Sequence, residues 1–335
     1  LLSLESLDRA VEVIRSVQET SPHTQIVAIH RNCEIQTIMR IMQAGVRHFL
    51  TVPLALESLA DTMACVAEIR DRIPHKSPDA TSVYSFLPAK PGAGTSTIAL
   101  NAALHLAAEQ PGVLLVDFDL NLGTIGPMLR LSYRNTVVEA AELAATLDQR
   151  DWLNLVSSSG RLHVLPSRLN PSAWIEPVQA GHLLNFAQIN YSYVLADHSG
   201  YLEKCSLAVL NESHRIFLVV DGDPLSLYLA KQKIELLRTH ELHDRVRVLL
   251  NRVHRHGQIS AAAVTAQLGM KPAVVFPYDR EPIGRATRSG APVDGRSGFA
   301  RACSEVAALI VNREPAIEKP ARRFLEFFSL AGVGR

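Results

Sequence analysis

The sequence predicts an α/β protein whose larger part is a doubly wound parallel sheet, preceded by a smaller α/β unit. Three observations lead to this fold class. Short apolar runs alternate with helical segments along most of the 335 residues, which is typical of parallel strands joined by helical crossovers. A glycine-bearing loop joins the first strand of the larger part to a helix. Aspartates stand where two later strands end, at the edge where such sheets bind ligands.

Length and composition exclude several classes of protein. At about 150 residues per domain, the length favours two domains. Lys+Arg total 34 against Asp+Glu 33, so we expect no nucleic-acid partner. The four cysteines form no CxxC pair and indicate neither a zinc site nor a disulfide framework. No apolar run is long enough to span a membrane, so we expect a soluble protein. The isolated cysteines make a reducing cytoplasm the expected location. The start at Leu1 without methionine suggests that upstream residues are missing.

Residues 1–73 form the first predicted unit, in which strands alternate with helices. This pattern indicates βαβ units, because a parallel return needs a crossover. The expected helices are Leu7–Val17, Glu34–Ala44 and about Leu56–Ile69, and the expected strands are Ile26–Ile29 and His48–Leu50. Residues 74–82 are polar and carry Pro74 and Pro78, so they are predicted to be an exposed linker.

Residues 83–313 form the second and larger predicted unit. Its strands are predicted from seven apolar runs with helical segments between most of them. These runs are Val83–Leu87, Val113–Val116, Leu162–Leu165, Tyr193–Ala196, Ile216–Val220, Val246–Leu250 and Ala273–Phe276. Together they predict a doubly wound parallel sheet of about seven strands.

The loop after the first of these strands is typical of a nucleotide site. It reads Ala89-Lys90-Pro91-Gly92-Ala93-Gly94-Thr95-Ser96-Thr97. A glycine-bearing loop between a strand and a helix N-terminus lets backbone N–H groups face a phosphate. The pattern GxxxxGK[ST] fails twice, with Ala89 at the first glycine and Thr95 at the lysine. The alternative is a glycine turn into a helix that binds nothing.

Carboxylates at two strand ends favour the phosphate site over that alternative. Asp117 and Asp119 follow the strand Val113–Val116, and alternation points both to the same side. Asp197 follows the strand Tyr193–Ala196 in the same way. Buried strand ends rarely carry Asp without a partner, so the sequence predicts Mg²⁺ beside a bound phosphate.

These motifs, in this order, resemble the ParA/MinD ATPases with their deviant Walker A loop. The resemblance rests on Lys90-x-Gly92-x-Gly94-x-Ser96-Thr97, Val-Asp117-Phe-Asp119, Ala-Asp197-His-Ser-Gly, Leu-Asn251-Arg252 and Phe-Pro277-Tyr-Asp279. Pro91 departs from a glycine of that family's loop. Within the family the chain is most similar to the CpaE/TadZ branch, pilus-assembly proteins that often replace the second loop lysine with a small residue, as at Thr95.

The resemblance implies ATP and Mg²⁺ as cofactors, a role for each loop residue and a homodimer. Gly92, Ala93, Gly94, Thr95 and Thr97 would line the phosphates, and Ser96 would coordinate Mg²⁺ with waters held by Asp119 and Asp197. Asp117 would orient the attacking water. Asn251 would contact adenine, with the segment Pro277–Asp279 beside the base. Lys90 would reach the partner's phosphates across a face-to-face dimer.

The first unit resembles the second half of a response-regulator receiver domain. The resemblance rests on Gln25–His30, Gln43–Val46 and Phe49–Pro53. The family's switch lysine falls on Val52 and its switch Ser/Thr on His30, and its phosphoacceptor Asp would fall near Leu1 or upstream. The resemblance implies a degenerate receiver that docks a partner without phosphorylation. An unrelated α/β fragment is the alternative.

The expected activity is a nucleotide-dependent switch with weak turnover, because Thr95 removes a charge beside the terminal phosphoryl group. The branch resemblance implies a localisation or assembly factor for an Flp pilus, whose partners are the secretion machinery or a polar landmark protein, at the pole or inner membrane. The alternatives are a partition or division-site ATPase and a nucleotide-free scaffold. The tail, residues 314–335, carries an apolar helical face that could touch a membrane, as in MinD relatives, or pack on protein.

Overall fold

The computed structural model describes two compact units, Leu1–Ile73 and Pro74–Arg335. The tail at 314–335, most of the predicted linker and parts of the first unit lie outside the described residues. Those described are 2–3, 9–14, 26–30, 35–44, 46, 48–55, 58–62, 82–170, 172–254 and 260–312. Among them, no helix is long and apolar enough to cross a membrane.

The first unit contains a small parallel sheet. Its strands are β1 (Leu2–Ser3), β2 (Val27–His30) and β3 (His48–Thr51), in that spatial order. Helix α1 (Ile35–Gln43) joins β2 to β3, and residues 9–14 and 58–62 are also helical. A small buried cluster holds these elements together: Ala10, Ile14, Ala28, Ile41 and Val46. The alternation predicted for this unit is confirmed where the residues are described. Val52, at the predicted lysine position, is exposed just after β3.

The second unit is built on an eight-stranded sheet in the order β11-β10-β9-β4-β8-β5-β7-β6. All neighbours are parallel except β6 and β7, which are antiparallel. The seven predicted strands are confirmed, and the short edge strand β6 is an addition that its run of serines did not predict. The strands are β4 (Ser82–Pro88), β5 (Val113–Phe118), β6 (Ser157–Ser159), β7 (Leu162–Leu165), β8 (Tyr193–His198), β9 (Ser213–Asp221), β10 (Val246–Val253) and β11 (Val274–Pro277).

Helices cover both faces of this sheet, which explains why its strands are apolar on both sides. Tyr84 and Phe86 of β4 pack on one face, whereas Val83 and Leu87 pack on the other. The helices are α2 (Thr95–Glu109), α3 (Ile125–Met128), α4 (Val137–Leu143), α5 (Gln149–Leu155), α6 (Pro177–Asn190), α7 (Lys204–Glu212), α8 (Pro224–Thr239), α9 (Ala261–Leu268), α10 (Arg280–Ser289) and α11 (Gly298–Val311).

A chain of polar contacts crosses the middle of the sheet. The Ser85 hydroxyl on β4 lies 2.9 Å from Nε2 of His198 on β8 and 2.7 Å from the hydroxyl of Ser213 on β9. The Ser213 hydroxyl donates to the Val209 carbonyl at 2.8 Å. Three strands of the core are therefore joined by side chains as well as by their backbone ladders.

The strand order places a crevice at the carboxyl ends of the central strands. From β4 the chain crosses over to β5 on one side, whereas from β8 it crosses to β9 on the other side of β4. In open α/β sheets, ligands bind where successive connections leave in opposite directions. The predicted phosphate loop follows β4 and therefore lies at this point.

Candidate nucleotide site

The loop that follows β4, residues 89–97, is called the phosphate loop below. It is tied to the sheet at its start, where the Ala89 N–H donates to the Val219 carbonyl at 2.8 Å. Gly92 and Gly94 have φ angles of +81° and +92°, in the left-handed region that favours glycine. Helix α2 starts directly after Gly94, and its first N–H groups have no acceptor within the helix. The loop thus offers backbone donors and the positive end of a helix dipole to an anion.

Asn251, at the carboxyl end of β10, holds the phosphate loop in this conformation. Its Nδ2 donates to the Ala93 carbonyl at 2.8 Å, and its Oδ1 accepts from the Arg252 N–H at 2.9 Å. A Cβ atom on Gly94 would lie 2.4 Å from the same Nδ2. Gly94 is therefore required twice, by its φ angle and by its neighbour. The adenine contact predicted for Asn251 stays a prediction, and in this structure the carboxamide supports the loop.

Asp117 and Asp197 are brought side by side beside this loop. They are register partners on the neighbouring strands β5 and β8, and both are fully buried. The Asp117 carboxylate accepts backbone N–H groups of Asp119 and Ile125, each at 3.1 Å. Neither oxygen of Asp197 has a well-oriented hydrogen-bond donor in the described part of the chain, although the nearby Ser96 hydroxyl opposes the shift of its pKa.

Electrostatics make this pair costly without a counter-charge. Burial raises the pKa of both carboxyl groups, to about 7 for Asp117, and the charge of Asp117 raises the pKa of Asp197 further. Two buried carboxylates with unused lone pairs are typical of a site that takes a cation. Within the described ranges, no three His, Cys, Asp or Glu side chains are placed to hold a metal by themselves. The donor set fits Mg²⁺, which keeps several waters and shares substrate phosphates.

Lys90 lies at the other side of the loop and pairs within its own chain. Its Nζ lies 2.5 Å from Oδ2 of Asp223 and 3.5 Å from Oδ2 of Asp221. The hydrogen bond to Asp223 raises the pKa of Lys90 and lowers the pKa of Asp223. Arg252 lies 3.7 Å from the same Asp221 oxygen. The contact across a dimer that was predicted for Lys90 stays a prediction, and this chain supplies an alternative partner.

Comparisons with known proteins agree with this geometry. No protein-family model matches the chain. The solved ParA family ATPase from Chlorobium tepidum TLS superposes with a TM-score of 0.65 at 24% identity, covering 68% of this chain and 99% of its own. The chain has the fold of the ParA/MinD ATPases. MinD from Pyrococcus horikoshii OT3, solved with Mg-ADP, has a TM-score of 0.60 at 20% identity, covering 69% of this chain and 96% of its own.

A curated relative supports the same fold. The antiactivator FleN from Pseudomonas aeruginosa is 28% identical over 254 residues, which are 71% of this chain and 89% of FleN. The α/β class and the mostly parallel sheet predicted for residues 83–313 are thereby confirmed as a ParA/MinD fold.

Asp119 lies just beyond the strand whose alternation was expected to set its direction. Strand β5 ends at Phe118, so Asp119 belongs to the following turn and alternation no longer sets its direction. Its Oδ1 accepts the N–H groups of Asn121 at 3.2 Å and Leu122 at 3.1 Å. The carboxylate therefore closes a local turn, while remaining near enough to raise the pKa of Asp117 and Asp197.

The other residues predicted to line the nucleotide site differ in burial and in hydrogen-bond partners. Thr95 is buried at the missing lysine's position, with no partner for its hydroxyl in the described part of the chain. The Thr97 carbonyl accepts from Asn101 at 2.9 Å. Oδ2 of Asp279 accepts the Phe299 N–H at 3.4 Å, so it contacts the start of α11. The base contact predicted for Pro277–Asp279 stays a prediction.

The two acidic residues that face Lys90 were not predicted from the sequence. Asp221 ends β9, and Asp223 precedes α8 and accepts the Leu225 N–H at 3.1 Å. An aspartate after the apolar run Ile216–Val220 was the same signal that revealed Asp117 and Asp197. The signal could therefore have identified Asp221.

Proposed function

We propose that the chain binds ATP with Mg²⁺ at the phosphate loop and acts as a nucleotide-dependent switch of ParA/MinD type with slow turnover. The observation that carries the proposal is the juxtaposition of two features. A glycine loop supported by Asn251 lies at the start of α2, and the buried register pair Asp117 and Asp197 lies beside it. A phosphate chain with a divalent cation satisfies both at once.

Mg²⁺ would be held by the Ser96 hydroxyl and, through water, by Asp197, with the nucleotide's phosphates completing its shell. Bound there, the ion supplies positive charge to the phosphates. Asp197 is suited to hold a metal-bound water, because neither of its oxygens accepts a well-oriented hydrogen bond from the described residues. Asp117 keeps the turn after β5 closed through its two backbone acceptor contacts.

Slow turnover follows from Thr95. In phosphate loops the lysine at this position stabilises the charge that develops as the phosphoryl group leaves. One such donor is worth about 3–4 kcal/mol, or about 10²–10³ in rate. Lys90 does not compensate within the chain, because its ammonium is held by Asp223 and Asp221.

Calorimetric titration with Mg-ATP tests the site, with Ser96→Ala as the variant that removes the metal hydroxyl and Ser304→Ala as a control on α11. We expect binding that Ser96→Ala weakens and Ser304→Ala does not, and phosphate release near background. Absence of Mg-ATP binding would leave a nucleotide-free scaffold as the function. Hydrolysis at ordinary rates would contradict the role given to Thr95.

The cellular role that we propose is localisation or assembly of an Flp pilus, as a homodimer whose first unit docks a secretion or polar protein. The pilus role rests on the resemblance to the CpaE/TadZ branch. Docking without phosphorylation rests on the resemblance of residues 1–73 to a receiver and on Val52, which leaves no lysine to follow a phosphate. Deletion of residues 1–73 should abolish localisation and leave ATP binding intact. A phosphorylated aspartate in this unit, or normal localisation after the deletion, would contradict it.

A second candidate role is that of an antiactivator, favoured by the 28% identity to FleN over 254 residues. The two roles differ in what responds when the gene is removed. Loss of pili with unchanged transcription supports the assembly role, and raised transcription of target genes supports the antiactivator role.

A further inference from the structure

Lys233 of helix α8 is a partly buried cation that the nucleotide site described above does not use. Its Nζ donates to the Pro88 carbonyl at 2.7 Å and to the Gly200 carbonyl at 2.8 Å. No carboxylate in the described part of the chain lies within ion-pair distance of it. Burial lowers its pKa to about 8. Withdrawing an ammonium from water without a carboxylate partner is costly, and the two carbonyl contacts offset part of that cost.

The two carbonyls belong to the two segments that form the site. Pro88 is the last residue of β4 and leads into the phosphate loop, whereas Gly200 lies three residues after Asp197. These segments also touch directly. A Cβ atom on Gly200 would lie 2.9 Å from Cγ of Pro91, so only glycine allows this approach. The turn at 199–201 thus packs on the phosphate loop on one side and is bound to Lys233 on another.

We infer that Lys233 is a positioning residue that ties the turn after Asp197 to the entrance of the phosphate loop, so that metal and phosphate contacts form together. The inference rests on the proposed nucleotide site. Among the described residues, the hydrogen bonds of the Lys233 ammonium go to the Pro88 and Gly200 carbonyls and not to the loop amides or the site carboxylates. Loss of its ammonium leaves both carbonyls without their donor and frees the turn from the loop.

The test compares Lys233→Met with Lys231→Met, since Lys231 lies on the same helix but is exposed. Hydrogen exchange without nucleotide is measured on peptides covering 89–94 and 199–203. We expect Lys233→Met to speed exchange at least about tenfold in both peptides, and Lys231→Met to change neither. Mg-ATP affinity should fall about tenfold in Lys233→Met, equivalent to one charge-assisted hydrogen bond.

Lys233→Gln serves if the methionine variant does not fold, because its amide can still donate to one carbonyl and should give an intermediate effect on both peptides. Faster exchange in only one peptide, or affinity equal to that of Lys231→Met, would overturn the inference. Failure of the unmodified protein to bind Mg-ATP would refute the proposed function instead. The exchange measurement would still decide whether Lys233 ties the two segments.

Discussion

Replacement of Gly94 by alanine should destabilise the second unit in two separable ways. Holding alanine at φ +92° costs about 1.5 kcal/mol. Its Cβ would also lie 2.4 Å from Nδ2 of Asn251, which must then release the Ala93 carbonyl. A lost buried hydrogen bond adds about 1.5 kcal/mol. The sum of about 3 kcal/mol corresponds to a fall of about 6–12 °C in Tm for a unit of this size.

Gly92→Ala is the matched control, because its φ is +81° and its Cβ would meet nothing within 4 Å. Only the backbone cost applies there, so Tm measured by circular dichroism should fall about half as far. In an Asn251→Ala background, Gly94→Ala should cost no more than Gly92→Ala. Equal losses for the two glycine variants in the unmodified protein would refute the role given to Asn251.

Three further predictions concern the charged groups of the site. Thr95→Lys should raise ATP turnover by about 10²–10³ in a phosphate-release assay, and an unchanged rate would contradict our account of this position. Asp197→Asn should raise stability by about 1–3 kcal/mol at pH 8 in thermal melts without metal. Because burial raises the folded pKa above its ordinary 3.8, this gain should shrink as pH falls towards 4, and a gain independent of pH would exclude the charge as its cause. Asp223→Asn keeps the helix cap and removes the shorter of the two ion pairs of Lys90, leaving the one to Asp221 at 3.5 Å. ATP should then increase the dimer fraction in sedimentation, and a reduced fraction would argue against Lys90 acting across a dimer.

The fold and the acidic residues could be predicted from the sequence because their signals are local. An aspartate directly after an apolar run marks the carboxyl end of a strand, which located Asp117 and Asp197. Their exact pairing required the strand order, since β8 enters between β4 and β5 although it comes later in the chain.

The support of the phosphate loop could not be predicted, because its contacts join distant parts of the chain. Asn251 and Lys90 contact residues 158 and 133 positions away, respectively. No pattern of spacing indicates that these groups meet, since the order of strands sets their separation. Asp119 is different, because an aspartate followed two residues later by a turn residue often accepts that residue's N–H. Here the local turn, and not strand alternation, sets the direction of the Asp119 carboxylate, and the metal contact predicted for it stays a prediction.

The serine contacts in the middle of the sheet determine where the proton of His198 resides. The Ser213 hydroxyl donates its single proton to the Val209 carbonyl. In the contact between the two serines, Ser85 must therefore be the donor. Ser85 then has no proton left for the imidazole, and Nε2 of His198 must carry one. Nδ1 has no partner in the described part of the chain, and burial lowers the pKa of this histidine to about 3. A single neutral tautomer is thereby selected in the middle of the sheet, and nitrogen NMR should find Nε2 of His198 protonated and Nδ1 without a proton wherever the protein stays folded.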